Sequence, residues 1–565
     1  MTIELLLAHA DKHPVVLHQG LPVETLRSAP RPESVELPDN LWDATRDPND
    51  LPAQRWGLVA PKGERGDRLL ALVEPLRRLR QEAQGGAPVK IYRVPSEMSG
   101  TYAAGWKKEI FRDEKTSEKD RPRYLLLLGD LHEVPLELQQ VLSTDAFVGR
   151  LAFASDAGYE AYVDKVLRWE GAAARETRSR VLFYTSRDRT SATELGHQAL
   201  IAPSVAACRE RQQVDDFPAA DILELGGEGA VPLEKLLAHA AEPGPGVLFT
   251  LSHGRGRPAG GWARPEERLE RQGELRLPDG RFLSAAELAS RPFLPGGVWF
   301  SFACFSAGTP SRSSYTHWLQ QLPISDPNAH RGLDALPKQG ERPFIAALPQ
   351  AALANPNGPL AVMGHVDLAW SCSFSDRGRG TPSRFIELLK ALARGSRAGV
   401  ALSTLLQFLN ETSSELATLY NMEQMERTYG RPSSVDPVAR AWLWMQRQDL
   451  ANYILLGDPA VRLPLASAQV ETRAPDSHRD EQEAMRRLLG PHFVEPTRSA
   501  SGPSPAEAEK AILARLTRQG HPEDIAWRQG TPLDELLRWE KLYRDAGREA
   551  LAWHLSDPSR ARTEG

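Results

Sequence analysis

The chain has 565 residues, a length that suggests roughly two to four domains. Hydrophobic residues make up 41% of the sequence, which is enough to fill folded cores and excludes a wholly disordered protein. The formal net charge of -5 argues against a generally basic nucleic-acid-binding protein.

The cysteines and the termini narrow the class of protein further. Cys208, Cys304 and Cys372 are far apart and form no Cys-x-x-Cys pair, so the sequence predicts neither a zinc site nor a disulfide framework, and we expect no cofactor. The N-terminus has no basic segment followed by a long apolar core, and no apolar run approaches the roughly 18 residues of a membrane span. We therefore expect a cytoplasmic protein without membrane contact.

Residues 1–175 mix short strands and helices and are predicted to form a non-catalytic N-terminal α/β subdomain. Residues 68–83 carry apolar side chains at helical spacing, which predicts one helix. Residues 124–128, YLLLL, predict a buried strand, and residues 159–170 predict a second helix. No catalytic set of side chains is evident in this part of the sequence.

The pattern changes to alternating strands and helices over residues 176–465. The predicted strands are RVLFYTS, DILELGG, VLFTLSHG, VWFSFACFSAG, LAVMGHVDLAW and NYILLGDPAVRLP, and two helices are predicted between the last two strands. Strands that are apolar throughout and alternate with helices are typical of a parallel sheet covered on both faces. The sequence therefore predicts an α/β domain with a mainly parallel sheet flanked by helices.

The C-terminal part is predicted to be a linker, residues 466–504, and a small helical domain, residues 505–565. Residues 507–551 resemble the helix-turn-helix of transposase-like and bacterial regulatory proteins, which would imply DNA binding. Residues 504–562, however, contain ten Lys or Arg and ten Asp or Glu, whereas a domain that binds phosphates should be clearly basic. We therefore favour a helical bundle that binds protein or packs on the rest of the chain over DNA binding by residues 505–555.

The chemistry-bearing residues stand at the ends of two apolar strands. His253 and Gly254 follow VLFTLS, and Cys304 follows VWFSFA, so all three are expected at the edge of the sheet where ligands bind in parallel α/β folds. A cysteine nucleophile needs a base for its proton and donors for the oxyanion. His253 can serve as the base, and the backbone N–H groups of Gly254 and Cys304 can serve as donors. From spacing alone, the alternative that both side chains are ordinary packing residues stays open.

A second pair competes with this one. His365 also ends an apolar strand, and Cys372 follows it in the polar segment SCSFSDRG. We expect Cys208, in a helical pattern, to be a packing residue.

Several of these segments resemble a known superfamily. LFTLSHGRG and VWFSFACFSAG resemble the His-Gly and Ala-Cys-x-Ser motifs of the caspase-like cysteine peptidases, which include caspases, gingipains, separases and bacterial CHAT peptidases. PLAVMGHVDLAW, NYILLGDPAVRL and YLLLLGDLHEVP resemble segments of the gingipain and CHAT type. The resemblance covers about residues 120–465. It implies a caspase-like fold and an endopeptidase with a His253–Cys304 dyad and an oxyanion hole formed by Gly254 and Cys304.

The resemblance also places a specificity pocket at TSRD, GHVD and the residue two before the nucleophile. That residue is Phe302, where caspases have a polar side chain, so their preference cannot be transferred. Asp188 and Asp367 are the acidic candidates, and a carboxylate in this pocket would select Arg or Lys at P1, the residue before the cleaved bond. The alternative is that Asp188 begins a helix and Asp367 lies in a surface turn.

A peptidase of this kind is expected to be latent as made. Residues 255–272 and 310–342 have the composition of exposed, cleavable loops, so cleavage there by an upstream protease, or contact with a regulatory partner, is predicted to activate it. Protein substrates are implied, and the family suggests bacterial stress or antiphage signalling. The alternative is a caspase-like scaffold that regulates through its C-terminal helices.

Overall fold

The computed structural model describes residues 2–466, except for 9–14, 18, 29–46, 96–97, 114, 259, 323–326 and 377, together with Leu536. Residues 1–468 form one compact unit and residues 469–565 form a second. The predicted linker and the predicted helix-turn-helix-like segment therefore lie, apart from residue 466 and Leu536, outside the described residues.

One large sheet organises the first unit. Its strands are β1 (Trp56–Pro61), β2 (Lys90–Val94), β3 (Tyr124–Leu128), β4 (Phe147–Leu151), β5 (Ser179–Thr185), β6 (Ala219–Leu225), β7 (Gly246–Leu251), β8 (Val298–Phe302), β9 (Ala361–His365) and β10 (Tyr453–Leu456). The order across the sheet is β2-β1-β3-β4-β10-β9-β8-β7-β5-β6. Every neighbouring pair is parallel except β9 and β10, which are antiparallel. The mainly parallel sheet that the sequence predicted is confirmed.

Helices flank the sheet. The longer α-helices are α1 (Glu64–Leu72), α2 (Glu74–Ala83), α3 (Leu136–Leu142), α4 (Asp156–Gly171), α5 (Ala202–Gln213), α6 (Leu233–Ala241), α7 (Pro265–Arg271), α8 (Pro327–Ala335), α9 (Ala347–Ala354), α10 (Ser383–Ala393), α11 (Ala398–Thr428) and α12 (Pro437–Ala451). Shorter ones span Leu51–Gln54, Ala103–Trp106, Ser191–Gly196, Ala285–Ser290 and Thr316–Gln320.

The central strands are apolar because both faces of the sheet are covered. Every residue of β7 and β8 is buried. Phe249 on β7 stacks on Phe300 on β8, with ring centroids 4.9 Å apart, and both rings meet Phe385 of α10 edge to face. Such aromatic contacts bury large apolar surfaces and fix the alignment of neighbouring strands.

The sheet runs without interruption across the predicted boundary at residues 175 and 176. Strands β1–β4 precede that boundary, and β4 is joined to the later strands through β10. The two predicted segments therefore share one sheet within the first compact unit.

Two local features differ from the sequence prediction. Residues 68–83 form parts of two helices, α1 and α2, which meet at Val73 because Pro75 disfavours a continuous helix through the preceding residues. Helix α12 was not predicted. It begins with Pro437, and Asp436 caps it by accepting a hydrogen bond from the N–H of Val438 at 3.0 Å.

The segments predicted to be cleavable loops contain regular structure. Residues 255–272 include α7, and Arg268 is buried there. Residues 310–342 include a helix over Thr316–Gln320 as well as α8. Residues 263–266 are exposed, and the last two of them begin α7. Among the described residues, no helix combines the length and apolar character needed to cross a membrane.

A buried charge cluster joins the start of the sheet to the segment after β10. The Arg80 side chain is fully buried, and its Nε donates to Asp458 Oδ2 at 2.6 Å while its Nη1 donates to Glu170 at 2.7 Å. Trp56 Nε1 donates to the other Asp458 oxygen at 2.9 Å. Burial alone would lower the pKa of Arg80, but the charges of Asp458 and Glu170 hold that pKa above its ordinary value.

We expect Asp458→Asn to lower the free energy of unfolding by about 3–5 kcal/mol, because Arg80 would keep a buried charge without its buried partner. The measurement is urea unfolding followed by tryptophan fluorescence. Glu74→Gln is the control, because Glu74 pairs with Arg77 and Arg78 near the surface and should contribute less than about 1 kcal/mol. Equal, small effects of the two substitutions would contradict this account of the cluster.

Candidate active site

The register of two parallel strands sets the geometry of the site. Leu251 of β7 pairs with Phe302 of β8 at the carboxyl end of the sheet. His253 and Cys304 each follow two residues later, so they leave the sheet at the same height on neighbouring strands. Both side chains are fully buried.

Gly254 lies against the backbone of Cys304. A Cβ atom at Gly254 would stand 1.8 Å from the carbonyl oxygen of Cys304, a distance too short for any side chain to fit. The two backbones can approach this closely only because the residue after His253 is glycine.

The backbone N–H groups of Gly254 and Cys304 converge on one acceptor. Both donate to the carbonyl oxygen of Leu6, at 2.8 Å from Gly254 and 3.2 Å from Cys304. Two N–H groups that point at a single oxygen can bind an oxyanion as well as a carbonyl group.

His253 is held from behind by a hydroxyl. Its Nε2 lies 2.8 Å from Thr190 Oγ1 and 3.6 Å from Asp188 Oδ2. Its Nδ1 is buried and has no hydrogen-bond partner among the described residues. Burial lowers the pKa of His253, and this outweighs the opposing effect of Asp188, so the imidazole is neutral at pH 7.

Asp188 lies behind His253, within a network of four neighbours. Its Oδ1 accepts from Thr190 Oγ1 at 2.8 Å and Thr193 Oγ1 at 2.6 Å, and Arg276 forms an ion pair with Oδ2. Burial raises the pKa of Asp188, but His253, the threonines and Arg276 outweigh it, and the pKa lies below its ordinary value. Asp188 was predicted to line the specificity pocket. Its described contacts are with His253, with the hydroxyls of Thr190 and Thr193, and with Arg276.

The Cys304 thiol points at the backbone of Ala369. The N–H of Ala369 donates to Cys304 Sγ at 3.2 Å, and Sγ lies 3.6 Å from the Ala369 carbonyl oxygen. Burial raises the pKa of the thiol well above its ordinary value, although the Ala369 N–H lowers it. No hydrogen bond joins Cys304 to His253 in the part of the chain that the structure describes. In this closed arrangement the thiol is protonated.

The remaining pocket candidates are buried in different surroundings. Phe302 packs in an aromatic cluster with Phe374, Phe385 and Tyr453. Asp367 is not in a surface turn: it is fully buried, and Ser314 N–H donates to its Oδ2 at 2.8 Å. Burial raises the pKa of Asp367 to about 6, against the opposing effect of backbone hydrogen bonds.

The side chains of the competing pair, His365 and Cys372, are buried in the core. His365 Nδ1 lies 2.9 Å from the Asp367 carbonyl oxygen, and its Nε2 lies 3.1 Å from Asp449 Oδ1. Both ring nitrogens are thus engaged within the core. Burial raises the pKa of the Cys372 thiol well above its ordinary value. Cys208 is buried in α5, as a packing residue would be.

Several residues of the site carried no sequence signal of their own. Thr190 follows β5, the neighbour of β7 in the sheet, and Arg276 follows Leu275, which pairs with Gly254. Leu6 reaches the N–H groups of Gly254 and Cys304 from the N-terminal part of the chain. Only the pairing of distant segments reveals them. Within the described residues, no group of three or more His, Cys, Asp or Glu side chains could hold a metal ion.

Comparisons with known proteins give distant structural likenesses. No family model matches the chain, and no curated protein matches it. The Arg-specific cysteine proteinase gingipain R is 11% identical, with a TM-score of 0.42 over 73% of this chain and 78% of that one. A structure described only as a protease is 13% identical, with a TM-score of 0.39 over 73% and 78%. The Saccharomyces cerevisiae separase–securin complex is 10% identical, with a TM-score of 0.29, and the match covers 63% of this chain and 17% of that one.

Proposed function

We propose that the chain is a cysteine endopeptidase in which Cys304 is the nucleophile and His253 is the base. The observation that carries the proposal is the convergence of the Gly254 and Cys304 N–H groups on one carbonyl oxygen beside the Cys304 thiol. An arrangement that already binds a peptide carbonyl can stabilise the negative charge that develops there during acyl transfer. Nothing in this chemistry requires a metal or an organic cofactor.

The reaction follows from the positions of these groups. The Cys304 proton passes to His253, and Sγ attacks the carbonyl carbon to form a C–S bond while the N–H groups of Gly254 and Cys304 hold the oxyanion. His253 then gives its proton to the leaving amine as the C–N bond breaks. Water, deprotonated by His253, attacks the thioester, and the carboxylic acid and the Cys304 thiol are released.

Thr190 supports the choice of the basic nitrogen. A threonine hydroxyl has one proton, and Thr190 Oγ1 lies 2.8 Å from both Asp188 Oδ1 and His253 Nε2. If the hydroxyl donates to the Asp188 carboxylate, it must accept from His253 Nε2–H. Nδ1 of His253 then carries the lone pair and is the base. Asp188 and Thr190 are positioning residues in this scheme.

The substrate preference, the means of activation and the biological role are separate predictions. A preference for Arg or Lys stays a prediction from the sequence, and its two carboxylates are engaged within the chain, Asp188 by Arg276 and Asp367 by Ser314. Activation by cleavage within residues 255–272 or 310–342, or by a regulatory partner, and a role in bacterial stress or antiphage signalling also stay predictions.

Cys304→Ala and His253→Ala should each lower peptide hydrolysis by about three powers of ten or more, because the first removes the nucleophile and the second removes its base. The assay is a library of fluorogenic tetrapeptides that varies P1, applied to the full chain as purified and after limited trypsin cleavage. Thermal unfolding should show that both variants remain folded.

Cys372→Ala is the matched control, because Cys372 is equally buried and belongs to the competing pair. It should keep hydrolysis within about threefold of wild type. Activity that survives in Cys304→Ala and disappears in Cys372→Ala would reassign the nucleophile and refute the proposal.

Thr190→Val should lower kcat about ten- to a hundredfold with little change in KM, because the hydroxyl orients His253 and does not bind the substrate. Thr190→Ser keeps the hydroxyl and should restore kcat to within about threefold of wild type. The comparison of kcat and KM for the two variants is the measurement. Wild-type kcat in Thr190→Val, or the same loss of kcat in Thr190→Val and Thr190→Ser, would contradict a positioning role of the hydroxyl.

A further inference from the structure

The N-terminal segment Glu4–Ala8 runs through the candidate active site from one side of Cys304 to the other. On one side of the thiol, the segment pairs with residues 369–371. The Leu6 N–H donates to the Ala369 carbonyl at 3.3 Å, and Leu5 forms an antiparallel bridge with Trp370. On the other side of the thiol, Leu7 and Ala8 pair in parallel with Gly254 and Arg255. The segment therefore follows an extended path on both sides of the thiol.

The hydrogen bonds fix which residue of the segment faces the thiol. The carbonyl oxygen of Leu6 accepts from the N–H groups of Gly254 and Cys304. In the proposed reaction, the residue whose carbonyl occupies that position is P1. The bond beside the thiol is therefore Leu6–Leu7, with Leu5 at P2 and Glu4 at P3.

The side chains of the segment are enclosed. Leu6 and Leu7 are 0% exposed and Leu5 is 1% exposed. Leu7 packs on Gly256, where a Cβ atom would stand 2.8 Å from Leu7 Cδ1. A cleft that fully encloses a leucine at the P1 position complements an apolar side chain of that size.

Glu4 is bound through both its backbone and its side chain. Its N–H donates to Ser371 Oγ at 3.1 Å, and its carbonyl accepts from the Ser371 N–H at 3.1 Å. Glu4 is only 4% exposed, and its Oε2 accepts from Ser191 Oγ at 2.7 Å. Thr2 Oγ1, just before this segment in the chain, donates to the other carboxylate oxygen at 2.7 Å. The cleft itself supplies the Ser191 hydroxyl, a donor that can receive a glutamate carboxylate at P3.

We propose that residues 4–8 occupy the substrate cleft as an intramolecular pseudosubstrate, and that the cleft selects polypeptides with leucine at P1 and glutamate at P3. This inference rests on the proposed function and adds its substrate class and its means of control. At P1 it differs from the preference for Arg or Lys that the sequence predicts. Because Cys304 is fully buried and the Leu6 carbonyl already occupies the N–H groups of Gly254 and Cys304, a substrate can bind only after the segment has left.

The first test measures the accessibility of Cys304 without requiring catalysis. The full chain is treated with iodoacetamide, and mass spectrometry of tryptic peptides follows alkylation of Cys304, with Cys208 and Cys372 as internal buried references. Leu6→Arg should accelerate Cys304 alkylation at least about tenfold, because an apolar cleft cannot hold a guanidinium. Leu6→Ala, which keeps the backbone contacts and removes most of the apolar contact, should give an intermediate rate and serves if Leu6→Arg fails to fold.

Gln19→Arg is the matched control, because Gln19 is exposed in the same part of the chain and the substitution adds the same charge. It should leave the alkylation rate of Cys304 at the wild-type value. A folded Leu6→Arg or Leu6→Ala variant whose Cys304 is alkylated no faster than that of Gln19→Arg would overturn the assignment of the segment to the cleft. Slower alkylation in Leu6→Arg alone would mean that the pocket binds a basic side chain.

The second test measures specificity on the Leu6→Arg chain. The substrates are acetyl-Ile-Glu-Leu-Leu and acetyl-Ile-Glu-Leu-Arg aminocoumarins, with acetyl-Ile-Gln-Leu-Leu as the P3 comparison. We expect kcat/KM to favour leucine over arginine at P1 by about a hundredfold, and glutamate over glutamine at P3 by about tenfold. Preference for the arginine peptide would refute the apolar pocket. Faster alkylation of Cys304 without hydrolysis of any peptide would support the cleft assignment and refute the peptidase function.

Discussion

The site depends on the convergence of two backbone N–H groups, those of Gly254 and Cys304, on a single peptide carbonyl oxygen. That convergence requires two parallel strands in register, so that their carboxyl ends stand side by side. It also requires a glycine after His253, because any side chain there would collide with the backbone of Cys304. The apolar core under β7 and β8 therefore has a functional consequence, since it holds two backbone segments at the separation that one oxygen can bridge.

A buried polar network completes the site without a net mismatch of charge. The carboxylate of Asp188 is balanced by Arg276 and receives the hydroxyls of Thr190 and Thr193, so its charge is stabilised although it is buried. The imidazole of His253 stays neutral in the same surroundings because burial lowers its pKa. A neutral imidazole that is fixed through one nitrogen leaves the other free to take a proton. The closed cleft also explains why the thiol is protonated here, since burial disfavours the thiolate until the cleft opens to substrate.

The sequence was informative where the signal was local. Wholly apolar runs predicted the central strands, and His253, Gly254 and Cys304 could be singled out because each directly follows such a run. Features that depend on distant pairing could not be predicted. The resemblance to caspase-like peptidases places Asp188 in a specificity pocket, and no nearby residue indicates that Arg276, 88 residues later, pairs with it. Likewise, nothing in the residues Glu4–Ala8 themselves indicates that they lie beside Cys304, because that position is set by strand pairing with residues 254–255 and 369–371.

The central claim is that Cys304 and His253 act together on a peptide carbonyl bound between Gly254 and Cys304. The most direct test is intact-protein and peptide mass spectrometry after incubation of the Leu6→Arg chain with acetyl-Ile-Glu-Leu-Leu acyloxymethyl ketone. This reagent alkylates an activated thiol in a peptide-binding cleft much faster than an ordinary thiol. The account predicts one adduct per chain, located on Cys304, that forms rapidly and is absent when His253 is also replaced by Ala. An adduct on Cys372, or a Cys304 adduct that forms at the same rate without His253, would contradict it.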